Sequence, residues 1–265
     1  MRPLIVVPTY INAPQDLAVV MDCLKSANRT AGEDADVLVV DDCSPRQDLV
    51  DALDGAKSRL EFELHRKDEN TGFSKTVNVG LRRALDEGRD AILANADLEF
   101  IDRGWVPLMQ RQQTSDEDGT LAYVVGALLL YPNGLIQHAG DYFSFLDRVF
   151  SHWLQYGPQD LPEAQRAQPS LVTGALQFIR HECLTTVGLY DEQFKLGYED
   201  VDYCIRVFNA GQECVYQPHV RAYHFESMFR GRKSDKIIAW ETESWVYFMT
   251  KWRNQSFARF IPRIV

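Results

Sequence analysis

Apolar residues gather in short unbroken runs along the first hundred positions, with amphipathic stretches between them. Leu4-Ile5-Val6-Val7, Val37-Leu38-Val39-Val40 and Asp90-Ala91-Ile92-Leu93-Ala94 are such runs, each closed by polar residues. Short apolar runs of this kind predict strands buried on both faces of a parallel sheet. Phe62 and Leu64 alternate with charges, which predicts a strand nearer the edge. Between the runs the period changes. Leu17, Val20, Met21 and Leu24 recur at helical spacing behind Pro14-Gln15-Asp16. Leu49, Leu53, Ala56 and Leu60 do so behind a polar loop, and Val77, Leu81, Ala84 and Leu85 behind Asn70–Ser74. Strand and helix in alternation predict an α/β fold with right-handed crossovers and a mostly parallel central sheet flanked by helices.

The second half is less regular. Asp102–Gln113 predicts a helix, Leu121–Leu130 a strand, Tyr131-Pro132-Asn133-Gly134 a turn and Leu135–Gly140 a returning strand; a small second sheet is expected in this half. Leu171–Arg180 and Val215–Ala222 read as further strands. Val201, Cys204, Ile205 and Phe208 share a helical face that Gly211 would end. Ile237–Trp252 reads as a helix with Trp240, Trp245, Tyr247, Phe248 and Trp252. From Asp141 to Ser170 aromatics, prolines and acids mix without a period, suiting either an acceptor surface or plain packing. The expected organisation is one domain over 1–265 in two halves, 1–100 and 101–265.

Composition narrows the functions. The chain has 265 residues, 45% of them hydrophobic, which suffices for a substantial core. A net charge of −10 and a pI near 5.1 exclude a broad nucleic-acid surface, which needs a basic surplus. Five cysteines with no C-x-x-C pair argue against both a disulfide framework and a zinc site and for reduced thiols in a cytoplasmic protein. The apolar run at the N-terminus is too short for a signal peptide or a membrane helix. The tail from Lys251 carries Arg253, Arg259 and Arg263 among Phe257, Phe260, Ile261, Ile264 and Val265. It is a candidate for peripheral contact with an anionic membrane or a partner, and equally for packing on the body.

The chemistry gathers where the strands end. Thr9 and Tyr10, Asp41 and Asp42, Gly72 and Ser74, and Asn95 and Asp97 follow successive strands, so all should line one edge of the sheet, where ligands of open α/β sheets bind. Asp97 and Glu99 suit Mg²⁺ or Mn²⁺, and such a cation would neutralise a diphosphate. The competing reading is that Asn95 and Asp97 only turn the chain. Neither G-x-G-x-x-G nor G-x-x-x-x-G-K-[ST] occurs, which removes a dinucleotide fold and a P-loop. Glu199, Asp200 and Asp202 crowd a predicted helix start, where acids also simply complement the helix dipole. Phe229–Lys236 is a basic loop that reads either as a clamp on diphosphate or as solvated surface.

Val6-Val7-Pro8-Thr9-Tyr10, Val40-Asp41-Asp42-Cys43-Ser44, Asn70-Thr71-Gly72-Phe73-Ser74 with Asn78 and Gly80, and Asn95-Ala96-Asp97 resemble, in order and spacing, the motifs of family 2 glycosyltransferases with the GT-A fold. The resemblance implies an inverting enzyme that moves a hexosyl or deoxyhexosyl group from a UDP-sugar or dTDP-sugar to a glycan, lipid-linked or protein acceptor. Pro8, Thr9, Tyr10, Asp41, Asp42, Gly72, Phe73, Ser74, Asn78, Asn95 and Ala96 would then surround the nucleotide, with Tyr10 against the base and Asp42 on its edge. Asn95-Ala96-Asp97 takes the place of the D-x-D motif, so Asp97 would hold a divalent Mn²⁺ or Mg²⁺, with Glu99 and His224 as further ligands. Glu199-Asp200 matches the catalytic motif of inverting members, with Asp200 as base and Glu199 as acceptor contact or alternative base. The rival reading is a catalytically silent module on the same fold that binds a nucleotide or glycan.

Overall fold

The computed structural model describes residues 1–114, 119–144, 149–225, 234–257 and 260. The first half runs β1 (Leu4–Thr9), α1 (Pro14–Ala31), β2 (Asp36–Asp41), α2 (Gln47–Asp54), α3 (Lys57–Leu60), β3 (Phe62–Arg66), α4 (Phe73–Asp86) and β4 (Ala91–Ala94). The second runs β5 (Leu98–Phe100), α5 (Trp105–Gln110), β6 (Val124–Leu130), β7 (Ile136–His138), β8 (Asp141–Ser144), β9 (Val149–His152), β10 (Gln168–Pro169), β11 (Leu176–Ile179), α6 (His181–Thr186), α7 (Glu199–Asn209), β12 (Cys214–His224) and α8 (Asp235–Lys251).

One ten-stranded sheet takes strands from both halves, in the order β10-β12-β6-β11-β4-β1-β2-β3, with β5 on β12 and β7 on β6. β3, β2, β1 and β4 are parallel, as the alternating pattern requires. β11 then inserts antiparallel between β4 and β6. Adjacent residues of β1 face opposite cores: Leu4 and Val6 join one cluster, Ile5 and Val7 the other, and all four are fully buried. Ala91 and Leu93 against Ile92 and Ala94 repeat this in β4. Burial on both faces is why these strands are unbroken apolar runs, each large side chain contributing about 1.5–3 kcal/mol.

Helix α4 lies close on β1 because Gly80 has no side chain: a Cβ there would stand 2.4 Å from the Val6 methyls. The stretch from Leu49 to Leu60 is two short helices, since the chain turns at Gly55 and Ala56. The helix expected over Asp102–Gln113 is confined to α5, behind a left-handed Gly104. The strand expected over Leu171–Arg180 is confined to β11, with the preceding residues held by side chains described below. The small second sheet is the hairpin β8–β9, inside the stretch that showed no period.

Asp202 fastens the C-terminal helix to this frame. It has no exposed surface and takes Arg206 Nε at 2.9 Å, Lys251 Nζ at 2.7 Å and Trp252 Nε1 at 2.9 Å. Phe257 packs 4.7 Å from Phe143 and 5.3 Å from Phe150, and Phe260 lies 5.4 Å from Phe208. Of the basic aromatic tail, then, Lys251, Phe257 and Phe260 turn onto the body rather than outward; Arg259, Ile261, Arg263, Ile264 and Val265 lie outside the described residues. All five cysteines are free thiols. Among the described residues no helix is long and apolar enough to cross a membrane.

Candidate functional site

Parallel pairing sets the ends of β1 and β2 side by side, with Thr9 opposite Asp41. Thr9 is buried, and its hydroxyl has no hydrogen-bond partner among the described residues. Pro8 is half-buried, and Tyr10 emerges from the edge with 39% of its surface exposed. Burial raises the Tyr10 phenol pKa, and the neighbouring Asp42, Cys43 and Asp41 raise it further. An exposed ring beside carboxylates can stack on a base.

The two aspartates that follow β2 have different environments. Asp41 is fully buried; its carboxylate accepts from Ser44 N at 3.2 Å and from the Ser44 hydroxyl, with Arg66 Nε at 3.4 Å. It holds the turn, and no surface of it is left for a nucleotide. Asp42 accepts from Thr71 N and Gly72 N at 3.0 Å each, and from Lys67 Nζ at 2.5 Å. In this conformation both Asp42 oxygens organise the 67–72 loop rather than reach for a base edge.

Gly72 has φ +94°, and a Cβ there would lie 2.7 Å from the Lys195 carbonyl oxygen, which accepts from Phe73 N at 2.8 Å. Gly72 and Phe73 thus dock the start of α4 on the segment before α7. Asn78 extends this clamp: it gives Nδ2 to Tyr190 O at 2.9 Å and takes Tyr190 N at 3.0 Å. Asn78 is buried and positions the loop before α7. Ser74 is buried with an unpartnered hydroxyl among the described residues. At the start of α8, Lys236 Nζ donates to Asn70 Oδ1 at 3.3 Å. Of the basic loop, residues 229–233 lie outside the described residues.

The end of β4 meets the end of β12. Pairing of β5 with β12 sets His224 opposite Leu98. His224 Nε2 lies 3.2 Å from Asp97 Oδ1, and both residues are largely buried. Gln137 Oε1 is 2.7 Å from His224 Nδ1, and Asn95 Nδ2 is 3.4 Å from Nε2. A carbonyl oxygen accepts, so Nδ1 carries the hydrogen and Nε2 presents its lone pair towards a carboxylate. A proton on Nε2 would complete this contact as an ion pair, and a divalent cation beside both ligand atoms would complete it equally well. Asp97 and His224 therefore fit a divalent metal, with Gln137 orienting the imidazole as partners of metal-bound histidines do. Ala96 is buried in the turn between them. Glu99 lies in β5 opposite Tyr223. Among the described residues Asp97, Glu99 and His224 do not converge as a three-ligand group.

Tyr198, at φ +68°, turns the chain into α7 and delivers Glu199 and Asp200 to its first turn. Asp200 accepts from Gly174 N at 2.9 Å and from Val201 N at 2.8 Å. Glu199 is buried and Asp200 half-buried. Burial raises the Asp200 pKa above the ordinary carboxylate range; the Gly174 hydrogen bond opposes this, and the nearby Asp141 carboxylate adds to it. Gly174 is compact for a reason: a Cβ there would meet Tyr190 Oη at 3.2 Å and Asp200 Cβ at 3.3 Å. Ala175 O in turn accepts from Asn95 N at 2.8 Å. Two adjacent residues before β11 thus join the Asp200 carboxylate to the Asn95–Asp97 turn.

The sequence left unassigned a group beside Asp200. His138, Asp141 and His152 bring one ligand atom each to within 4.8 Å of one another. The signal was present as His138 and Asp141, three apart after a predicted turn, but His152 joins them only through the β8–β9 hairpin.

Solved structures of the GT-A class superpose on this architecture. GalNAc-T7 with UDP, GalNAc and Mn²⁺ matches at a TM-score of 0.64 and 15% identity, over 84% of this chain and 44% of that one. Mannosyltransferase PcManGT from Pyrobaculum calidifontis, with GDP-Man and Mn²⁺, matches at 0.59 and 17%, over 98% and 67%. TarS 1-349 of S. aureus with UDP-GlcNAc matches at 0.55 and 16%, over 84% and 58%. At such identities the likeness is one of fold. Residues 4–128, just under half of the chain, match the sequence model described as Glycosyl transferase family 2. Protein y4gI of Sinorhizobium fredii, described as uncharacterized, is 28% identical over 241 residues, 87% of this chain and 25% of its own length. O-antigen biosynthesis protein RfbC of Myxococcus xanthus is 31% identical over 169 residues, 61% of this chain and 12% of its own. The chain thus spans a quarter or less of these curated relatives.

Proposed function

We propose that the chain is an inverting glycosyltransferase that moves a sugar from a nucleoside diphosphate to an acceptor hydroxyl. The observation that carries this is the junction at Gly174-Ala175, two adjacent residues of which the first is tied to Asp200 and the second to the Asn95–Asp97 turn. A base and a diphosphate-facing carboxylate fixed this way serve one bond exchange. The 1–100 half holds the donor, with Tyr10 stacked on the base and Thr9 and Asn95 towards the nucleoside. Asp97 and His224 hold Mn²⁺ or Mg²⁺. Bound there, the metal supplies positive charge to the departing diphosphate.

The 101–265 half presents the acceptor. Asp200, ionised, takes the proton of the attacking hydroxyl; the oxygen bonds to the anomeric carbon, and the sugar–phosphate bond breaks on the opposite face. Glu199, next to it at the start of α7, contacts the acceptor. A donor of the UDP-sugar or dTDP-sugar type is consistent with structural neighbours that hold UDP or UDP-GlcNAc, while another neighbour holds GDP-Man. A glycan acceptor is consistent with the relative named for O-antigen biosynthesis. A screen of nucleotide sugars with Mn²⁺ and a panel of glycan acceptors should give one donor that is consumed, with a product whose anomeric configuration by NMR is opposite to the donor's. Retained configuration would remove the single-displacement role of Asp200. Tight donor binding without turnover across the panel would favour the silent binding module.

A further inference from the structure

The group at His138, Asp141 and His152 stands apart from the Asp97–His224 pair, and the proposed sugar transfer uses none of the three. Its construction is specific. Asp141 and His152 are directly opposed in the β8–β9 ladder, so the hairpin sets their side chains against each other. His152 Nδ1 lies 2.5 Å from Asp141 Oδ1. His138, at the end of β7, places Nε2 3.7 Å from Asp141 Oδ2. The two imidazoles meet edge to face, with centroids 5.1 Å apart. Burial is graded: His138 is fully enclosed, the Asp141 side chain is 7% exposed and that of His152 is 34% exposed, leaving an entry path on the hairpin side.

The surroundings orient His138 as a ligand. Its Nδ1 lies 3.3 Å from the Ala127 carbonyl oxygen, an acceptor, so the hydrogen belongs on Nδ1 and the lone pair on Nε2, towards Asp141. Donation of the far ring N–H to a backbone carbonyl is the usual support of a metal-bound histidine. The alternative tautomer takes Gly140 N at 3.5 Å and turns Nε2–H towards Asp141 Oδ2, 3.7 Å away, but sets that hydrogen against the Thr173 N–H. Nε2 also receives Thr173 N at 3.3 Å, a long hydrogen bond that an arriving cation would displace.

We infer that His138, Asp141 and His152 form a second metal site, selective for a borderline cation of the Zn²⁺ class over Mg²⁺ or Ca²⁺. Two imidazoles and one carboxylate match Zn²⁺, Co²⁺ or Ni²⁺, whereas hard cations prefer all-oxygen shells. Three protein ligands leave at least one position of a four-coordinate ion for water or an acceptor oxygen. The position bears on the acceptor: Thr173 N–H reaches His138, and the next amide, Gly174 N–H, reaches Asp200. The ion would therefore sit beside the proposed base, on the acceptor side rather than at the diphosphate.

The test is zinc binding by the full chain after chelator treatment, measured by competition with a chromophoric chelator, with Co²⁺ absorption spectra as a readout of nitrogen ligation. Wild type should bind Zn²⁺ at this site, and His152→Ala should weaken that binding at least about tenfold. The metal-side variant Asp97→Ala should leave it in place. His152 lies on the hairpin and is partly exposed, so His152→Ala should keep the wild-type melting profile; His152→Gln serves as a second variant if it does not. Unchanged Zn²⁺ affinity in both His152 variants, loss of the site in Asp97→Ala, or no Zn²⁺ uptake by wild type would overturn the inference and leave the three residues a hydrogen-bonded group. Since the readout is zinc occupancy, it is independent of whether the chain transfers sugar.

Discussion

Asp200→Asn should lower turnover by roughly 10²–10⁴-fold while leaving donor affinity near wild type, the loss expected when a positioned general base is removed. The substitution keeps the shape but only one acceptor oxygen: Gly174 N donates to Oδ2 and Val201 N to Oδ1, so one of the two bonds is lost, and an unchanged melting profile is the check that the start of α7 stays in place. The pH profile carries the same prediction in another form. Burial and the Asp141 charge raise the Asp200 pKa, so the carboxylate becomes protonated at a higher pH than an ordinary one. The base works only when ionised. kcat/KM should thus rise with pH through that raised pKa, with its acidic limb above the usual carboxylate range. Steady-state kinetics across pH, with calorimetry for donor binding, separate the two effects. Activity in Asp200→Asn equal to wild type would move the base to Glu199 or elsewhere.

The largest stability effect should come from Asp202→Ala. Removing the carboxylate leaves the guanidinium of Arg206, the ammonium of Lys251 and the indole N–H of Trp252 without their shared acceptor. Breaking one side of a buried charge pair costs about 3–5 kcal/mol. For a chain of this size that corresponds to a fall in Tm of roughly 10 °C. Part of the loss is moderated, because Lys251 also pairs with Asp191 at 2.7 Å and Arg206 also donates to Val187 O and Leu189 O. Differential scanning calorimetry measures it directly; a Tm within 2–3 °C of wild type, about 1 kcal/mol for a chain of this size, would show that α8 is held by its aromatic packing instead.

The parallel half of the fold was legible because burial on both faces leaves a strong record: uninterrupted runs such as Leu4–Val7 and Ile92–Leu93 admit few other readings. The edge strand β3 was legible through its alternation for the opposite reason: Phe62 is buried while Glu63 and His65 are exposed. The second half was harder. β11 is short, and the residues before it are fixed by long-range partners such as Val172 against Gly126 and Gly174 against Asp200, which no local period encodes. Site residues divided similarly. Polar ends of strands marked the right edge, but adjacency in sequence could not tell Asp41, which holds its own turn, from Asp42, which holds the next loop. Nor could it show that Asn78 bonds a backbone more than a hundred positions away. His152 was invisible as a ligand because the hairpin that presents it lies in a stretch with no period.

The central claim is that a divalent cation at Asp97 and His224 grips the donor's diphosphate. The most direct measurement is calorimetric titration of UDP and dTDP into the metal-stripped chain, with and without Mn²⁺, for wild type and Asp97→Ala. The account predicts that Mn²⁺ tightens nucleotide binding at least about tenfold in wild type and leaves Asp97→Ala unchanged. Equal nucleotide affinity with and without Mn²⁺ in wild type, or the same Mn²⁺ enhancement in Asp97→Ala, would contradict it.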